Sequence, residues 1–218
     1  VGETAPFGRG RVRKLFGLDR SGPEHPATRS GQPLRPWTLP NLVGFLRLLG
    51  VPLFLLLAFQ TEDGVSVAAA VVFWLIAAGD YLDGLLARVT GQYSRLGALL
   101  DPVVDRLVII SGVVVCWHFG LLPKVLIVLL VIREVATLVL ARWGLSRGLD
   151  IEVNWIGRMA VFPIMSAIFF AMLFPGWFPD ALMVIGVAMA WAATYLYARS
   201  GRAALRATEE TDQPSTGA

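Results

Sequence analysis

Cysteine is nearly missing: Cys116 stands alone among 218 residues, beside two histidines. That excludes an intramolecular disulfide and any Cys-based metal cluster, and leaves Cys116 as a small apolar filler of a helix. Charge is scarce as well. Asp, Glu, Lys and Arg together make 16% of the chain, against about a quarter in an average soluble protein. No stretch alternates polar and apolar residues with period two, so membrane strands are not expected. No internal repeat is visible. Before Trp37 nothing has the apolar core of a signal peptide, so insertion is expected to rest on later segments.

What the chain does contain is apolar length. It is 56% hydrophobic, with 7 Trp and 12 Phe, and its mean hydropathy is +0.64. Six hydrophobic segments run roughly over 40–60, 65–88, 96–119, 122–143, 155–174 and 179–199. Each suits the roughly 20 residues that a bilayer core requires of a helix. They are parted by TEDG (61–64), TGQYS (90–94), FGLLP (119–123), the polar run from Ser146 to Asn154, and PGWFP (175–179). The sequence therefore predicts an all-α, polytopic membrane protein with six transmembrane helices.

Lys and Arg beside the spans set its expected orientation, because cytoplasmic flanks carry the excess. Seven lie between Arg9 and Arg35; Arg88, Arg95, Arg142, Arg147, Arg158, Arg199, Arg202 and Arg206 join them on one side, and Lys124 alone falls on the other. Both termini are thus expected in the cytoplasm. Residues 1–36 form a basic segment that reads as disordered or, over RGRVRKLFGL (Arg9–Leu18), as an amphipathic helix on the inner leaflet. Residues 37–206 form the membrane domain, and 207–218 read as a disordered tail.

Four aspartates interrupt the second and third segments, in GDYLDGLLARVTGQYSRLGALLDPVVDRLVI (79–109). A charge at membrane depth costs a few kcal/mol on insertion scales (roughly 2.5–3.5), so each needs a reason to be there. Asp80 and Asp83 are three apart and Asp101 and Asp105 four apart, so in helices each pair shares a face. Two such helices side by side would aim four carboxylates into one cavity. So much like charge in one place calls for hard divalent cations between the groups. Oxygen-only donors suit Mg²⁺, Mn²⁺ or Ca²⁺ rather than zinc. Gly84, Ala87 and Gly97 leave room nearby, and Arg88 is placed to meet a phosphate. A single Asp/Arg pair would read as a buried ion pair; four carboxylates at helical spacing favour a ligand cavity. A cation transporter would also use such a cluster, but it would call for broken helices with the carboxylates near the midplane. A soluble Mg²⁺-dependent prenyl synthase is excluded by the hydropathy.

Asp80, Asp83, Gly84, Ala87, Arg88, Gly97, Asp101 and Asp105 spell D-x2-D-G-x2-A-R-x8-G-x3-D-x3-D. In this the chain resembles the CDP-alcohol phosphotransferase family, without a departure, and the resemblance runs from about Trp37 to Arg206. It implies a six-helix membrane fold and a reaction in which a cytidine-diphosphate-linked lipid, CDP-diacylglycerol, gives its phosphatidyl group to an alcohol and releases CMP. It implies two ions, Mg²⁺ or Mn²⁺, held by Asp80, Asp83 and Asp101, with Asp105 as catalytic base and a ligand of the second ion. Gly84, Ala87, Arg88 and Gly97 would receive the cytidine diphosphate. A homodimer among membrane lipids in a bacterial cytoplasmic membrane, with its active site facing the cytoplasm and no nucleic-acid partner, is implied as well.

For the acceptor, LPNLVGFLRLLGVPLF at the first segment, GALLDPVVDRL, IREV (132–135) and NWIGR (154–158) resemble the phosphatidylglycerophosphate synthases of that family. They favour a glycerol-type alcohol, sn-glycerol 3-phosphate, over inositol phosphate. Arg133, Arg158 and Arg47 are the candidates for binding the acceptor's phosphate. Each has a plainer alternative: an ion pair with Glu134 or an aspartate for Arg133, a topology anchor for Arg158, and pairing with a motif carboxylate for Arg47. Arg106 and Arg158 stand where many relatives have Lys. A CDP-diacylglycerol-dependent cardiolipin synthase, with phosphatidylglycerol as acceptor, shares the whole signature and stays open.

Overall fold

The structure is a computed structural model that describes residues 36–146 and 155–211, for residues 145–146, 155–156, 158 and 201–211 by their backbone alone. Residues 1–35 of the basic segment 1–36, and residues 212–218 of the tail, lie outside the described residues. Among the described residues six α-helices follow one another: α1 (Leu39–Phe59), α2 (Val67–Thr90), α3 (Arg95–Phe119), α4 (Lys124–Ser146), α5 (Trp155–Ala171) and α6 (Trp177–Thr211). No strand occurs among the described residues.

The helix ends follow local chemistry. Thr38 caps α1 by accepting a hydrogen bond from Asn41 N, with Pro40 in the first turn, where its missing N–H costs nothing. Ser66 caps α2 in the same way through Ala69 N, and Gly91, at φ 67°, closes that helix in the left-handed conformation glycine tolerates. α6 runs through Ala207 to Thr211, into the stretch expected as a disordered tail. After Gly201 the run RAALRATEE consists almost wholly of strong helix formers, and no proline stands before Pro214.

Among the described residues three helices are long and apolar enough to cross a bilayer: α1, α2 and residues 177–200 of α6. They mark the chain as a membrane protein, and the side-chain pattern agrees. On α1 the exposed face is Leu42, Leu46, Leu49, Leu53 and Leu56, whereas the buried face carries Asn41, Gly44 and Arg47 ahead of Val51, Phe54 and Ala58. In water the leucine stripe would turn inward. Here apolar side chains face outward and the polar ones face the neighbouring helices, as lipid solvent demands.

The chain forms two compact units. The first holds α1, α2 and α3 as far as Val114; the second holds α3 from Val115, with α4, α5 and α6. In the first, α1 packs along α2, with Phe54 and Phe73 rings 5.2 Å apart. Gly50 lets Ile76 lie where a Cβ would be only 2.7 Å from its side chain. In the second unit α6 packs along α5 and also meets α4. A Cβ at Gly186 would stand 2.5 Å from Ile164 Cγ1 and 3.0 Å from its backbone nitrogen. Because backbone cannot step aside cheaply, Gly186→Val is expected to cost about 1–3 kcal/mol of stability. A lowered thermal midpoint in detergent would register the loss, and an unchanged midpoint would refute so close an approach.

Candidate active site

The first unit brings together all four signature aspartates, and Arg47 joins three of them. Its Nη1 donates to Asp83 Oδ2 at 3.1 Å and lies 3.5 Å from Asp80 Oδ1, while its Nη2 donates to Asp105 Oδ1 at 2.5 Å. Nε donates to the carbonyl of Ile76 at 2.9 Å, which fixes the plane of the guanidinium. Asp101 makes no hydrogen bond among the described residues, but it is near enough to Asp80, Asp105 and Arg47 to interact electrostatically.

Glycine makes the arrangement possible. An added Cβ at Gly79 would lie 2.7 Å from both Cγ and Cδ of Arg47, so the arginine stem crosses α2 against bare backbone. Gly79 immediately precedes Asp80, and its role became visible only once α1 was packed on α2. The helical spacing was expected to put Asp80 and Asp83 on one shared face. They do share a partner, yet their exposure differs: the side chain of Asp83 is 6% exposed and that of Asp80 48%. Asp105, at 43%, is also open to a substrate.

The other signature positions have structural neighbours of their own. The guanidinium of Arg88 folds back over Gly84, with Nη1 3.3 Å from where a Cβ would be. Gly97 faces buried Asn41: a Cβ there would meet Asn41 Oδ1 at 2.7 Å. Ser94 Oγ donates to that same oxygen at 2.8 Å and accepts from Gly97 N at 2.9 Å, while Asn41 Nδ2 donates to Pro36 O at 3.1 Å. The start of α1 is thereby latched to the start of α3. Sequence reasoning passed over Asn41; an amide in the first turn of an otherwise apolar segment was the available signal.

The second unit contains Arg133. Nε donates to Thr194 Oγ1 at 3.1 Å and to Ala190 O at 3.3 Å on α6, and Nη1 is paired with Glu134. Thr137 Oγ1 lies 3.2 Å from Thr194 Oγ1. The ion pair with Glu134 that was weighed from the sequence is present. Arg158 lies on α5, but its side chain is outside the described residues. Arg106 is exposed.

Four carboxylates against one guanidinium leave an excess of negative charge, with oxygen as the only donor element. In type, number and charge these residues fit a hard divalent cation. As the side chains stand, with Arg47 holding three of the four, no three acidic or histidine groups among the described residues form a ready cation cage.

The chain belongs to the CDP-alcohol phosphatidyltransferase family, whose model matches residues 37–196. Among its relatives, the cardiolipin synthase (CMP-forming) of Streptomyces coelicolor is 39% identical over 169 residues, covering 75% of this chain and 79% of that one. The CDP-diacylglycerol–glycerol-3-phosphate 3-phosphatidyltransferase of Shigella flexneri serotype 5b is 30% identical over 168 residues, or 73% and 88% of the two chains. A probable phosphatidylglycerophosphate synthase of Mycobacterium tuberculosis is 38% identical over 128 residues, 57% of this chain and 60% of its own.

Proposed function

We propose that the chain transfers the phosphatidyl group of CDP-diacylglycerol to a hydroxyl of a glycerol-type acceptor, sn-glycerol 3-phosphate, releasing CMP. The observation that carries this reading is the meeting of all four signature carboxylates in one site of a chain in this family. Asp80, Asp83, Asp101 and Asp105 would hold two divalent ions, Mg²⁺ or Mn²⁺. When bound, such ions neutralise charge on phosphoryl oxygens and steady the leaving group. Asp105, exposed enough to reach a substrate, takes the proton of the acceptor hydroxyl as that oxygen bonds to the phosphorus bearing the diacylglycerol and the bond to CMP breaks. Arg88, with Gly84, Ala87 and Gly97, receives the cytidine diphosphate.

A second reading, cardiolipin synthesis from phosphatidylglycerol, is favoured by the relative of that name at 39% identity. Both acceptors present a glycerol hydroxyl and a phosphate. Purified protein with CDP-diacylglycerol and Mg²⁺, offered glycerol 3-phosphate, phosphatidylglycerol, inositol phosphate or no acceptor, separates them by CMP release. Glycerol 3-phosphate is expected to give the largest release. CMP formed only with phosphatidylglycerol transfers the assignment to the second reading, and none with any acceptor defeats both.

Arg133 and Arg158 take the acceptor's phosphate in this proposal. Losing either should remove charge-assisted hydrogen bonds of about 1.5–3 kcal/mol, so the Ala variants are expected to raise the acceptor's KM about tenfold to a hundredfold. The KM for CDP-diacylglycerol should hardly move. Arg88→Ala is expected to reverse that pattern. If Arg133→Ala lowers only expression, with both KM values unchanged, its bonds to Glu134 and Thr194 are its whole role.

The proposal extends to a domain over residues 37–206 with six spans, both termini in the cytoplasm and the active site facing it, in a bacterial cytoplasmic membrane and as a homodimer. Cysteines introduced at Glu62 and Pro175 are expected to react with an impermeant reagent on intact cells, and one at Gln92 only after permeabilisation. Labelling at Gln92 in intact cells would invert the topology. Crosslinking of purified protein in nanodiscs tests the dimer, and a monomer at all concentrations would rule it out.

A further inference from the structure

Arg47 is more heavily committed than an acceptor-binding residue needs to be. Its side chain is 4% exposed, its Nε is fixed on the Ile76 carbonyl, and its two terminal nitrogens reach Asp80, Asp83 and Asp105. Two positions on α2 are shaped to admit it: Gly79, where any side chain would strike its stem, and Asp83, the deepest of the carboxylates. The guanidinium already contacts oxygens that a divalent cation held by Asp80, Asp83 and Asp105 would need. Two positive groups cannot share those oxygens at contact distance without repulsion, which in a low-dielectric site is strong. Losing the arginine would in turn leave Asp83 buried and uncompensated, a strongly destabilising condition.

We infer that Arg47 is the built-in counter-charge of this site: it holds Asp80, Asp83 and Asp105 together while no cation is bound, and divalent cations compete with it for those carboxylates as they load. Arg47 is thus a positioning residue that sets the cation affinity. The inference rests on the reading of the aspartates as a divalent-cation site. It accounts for an arginine buried among the aspartates in a site whose chemistry needs their oxygens free.

The test uses the full chain in nanodiscs, stripped with EDTA and titrated with Mn²⁺, with free Mn²⁺ followed by its electron paramagnetic resonance signal. Thermal midpoints are measured in EDTA and in Mn²⁺. Arg47→Gln is expected to bind Mn²⁺ at least about tenfold more tightly than wild type, to melt lower in EDTA, and to recover in Mn²⁺. Arg47→Lys keeps the charge but cannot span three carboxylates while anchored on Ile76 O, and should bind a few fold more tightly than wild type. Should Arg47→Gln fail to fold even with Mn²⁺, Arg47→Lys decides alone. Mn²⁺ affinity equal to or weaker than wild type in the folded variant overturns the inference and makes Arg47 a support for the ligand geometry. Wild-type protein that binds no Mn²⁺ at all overturns both this inference and the cation site beneath it.

Discussion

Asp105→Asn is expected to bind CDP-diacylglycerol while its turnover falls about 10²- to 10⁴-fold, the range that general-base assistance contributes. The structure keeps this comparison clear of a folding defect. Asn keeps the size of the side chain and an oxygen for Arg47 Nη2, and Arg47 retains Asp83, Asp80 and the Ile76 carbonyl. Folding should therefore survive a change that removes the proton acceptor. Single-turnover CMP release, read beside equilibrium binding of the CDP-lipid, separates the two effects. Normal binding with turnover within a few fold of wild type would show that another group takes the proton.

Asp101→Asn is expected to abolish turnover almost entirely, and chelation by EDTA should do the same to wild type. Of the four aspartates Asp101 is the best probe of the cation site, because it makes no hydrogen bond among the described residues, so its change to Asn breaks none there. Asp83→Asn should cost stability as well as activity, since it weakens a buried pair with Arg47. The comparison is thus of thermal midpoint against rate. Asp101→Asn should leave the midpoint in EDTA near the wild-type value while Mn²⁺ binding and activity disappear together. Substantial activity in EDTA, or in Asp101→Asn, would contradict a mechanism that needs carboxylate-held cations.

Much of this was readable from the chain because it is encoded locally. Apolar length and the breaks at TEDG, TGQYS, FGLLP, the polar run from Ser146 to Asn154, and PGWFP located the six helices of the described residues, with ends within a few residues except at α6, where good helix formers carry it to Thr211. Helix periodicity put each aspartate pair on one face, and the signature spacing drew the four into a single candidate site, since residues three and four apart must stack whatever surrounds them. Charge distribution led to an orientation, which rests on counting and awaits the labelling experiment.

Partner choice was beyond such reasoning. Arg47 is 33 residues from Asp80 in the chain and 58 from Asp105, and a side chain of that reach had two open readings until α1 lay on α2. The bare backbone at Gly79 then admitted its stem, the Ile76 carbonyl fixed its plane, and Asp83 received it in a buried setting while Asp80 stayed open. Gly97 likewise carried no sign that Asn41 would lie against it, or that Ser94 would join the two. Arg133 met Glu134 along its own helix, which the sequence allowed, and Thr194 on α6, which it did not announce. Hydropathy and periodicity act within a few turns of one helix; which buried charge meets which depends on the packing of helices distant in sequence, and that is where this site acquires its geometry.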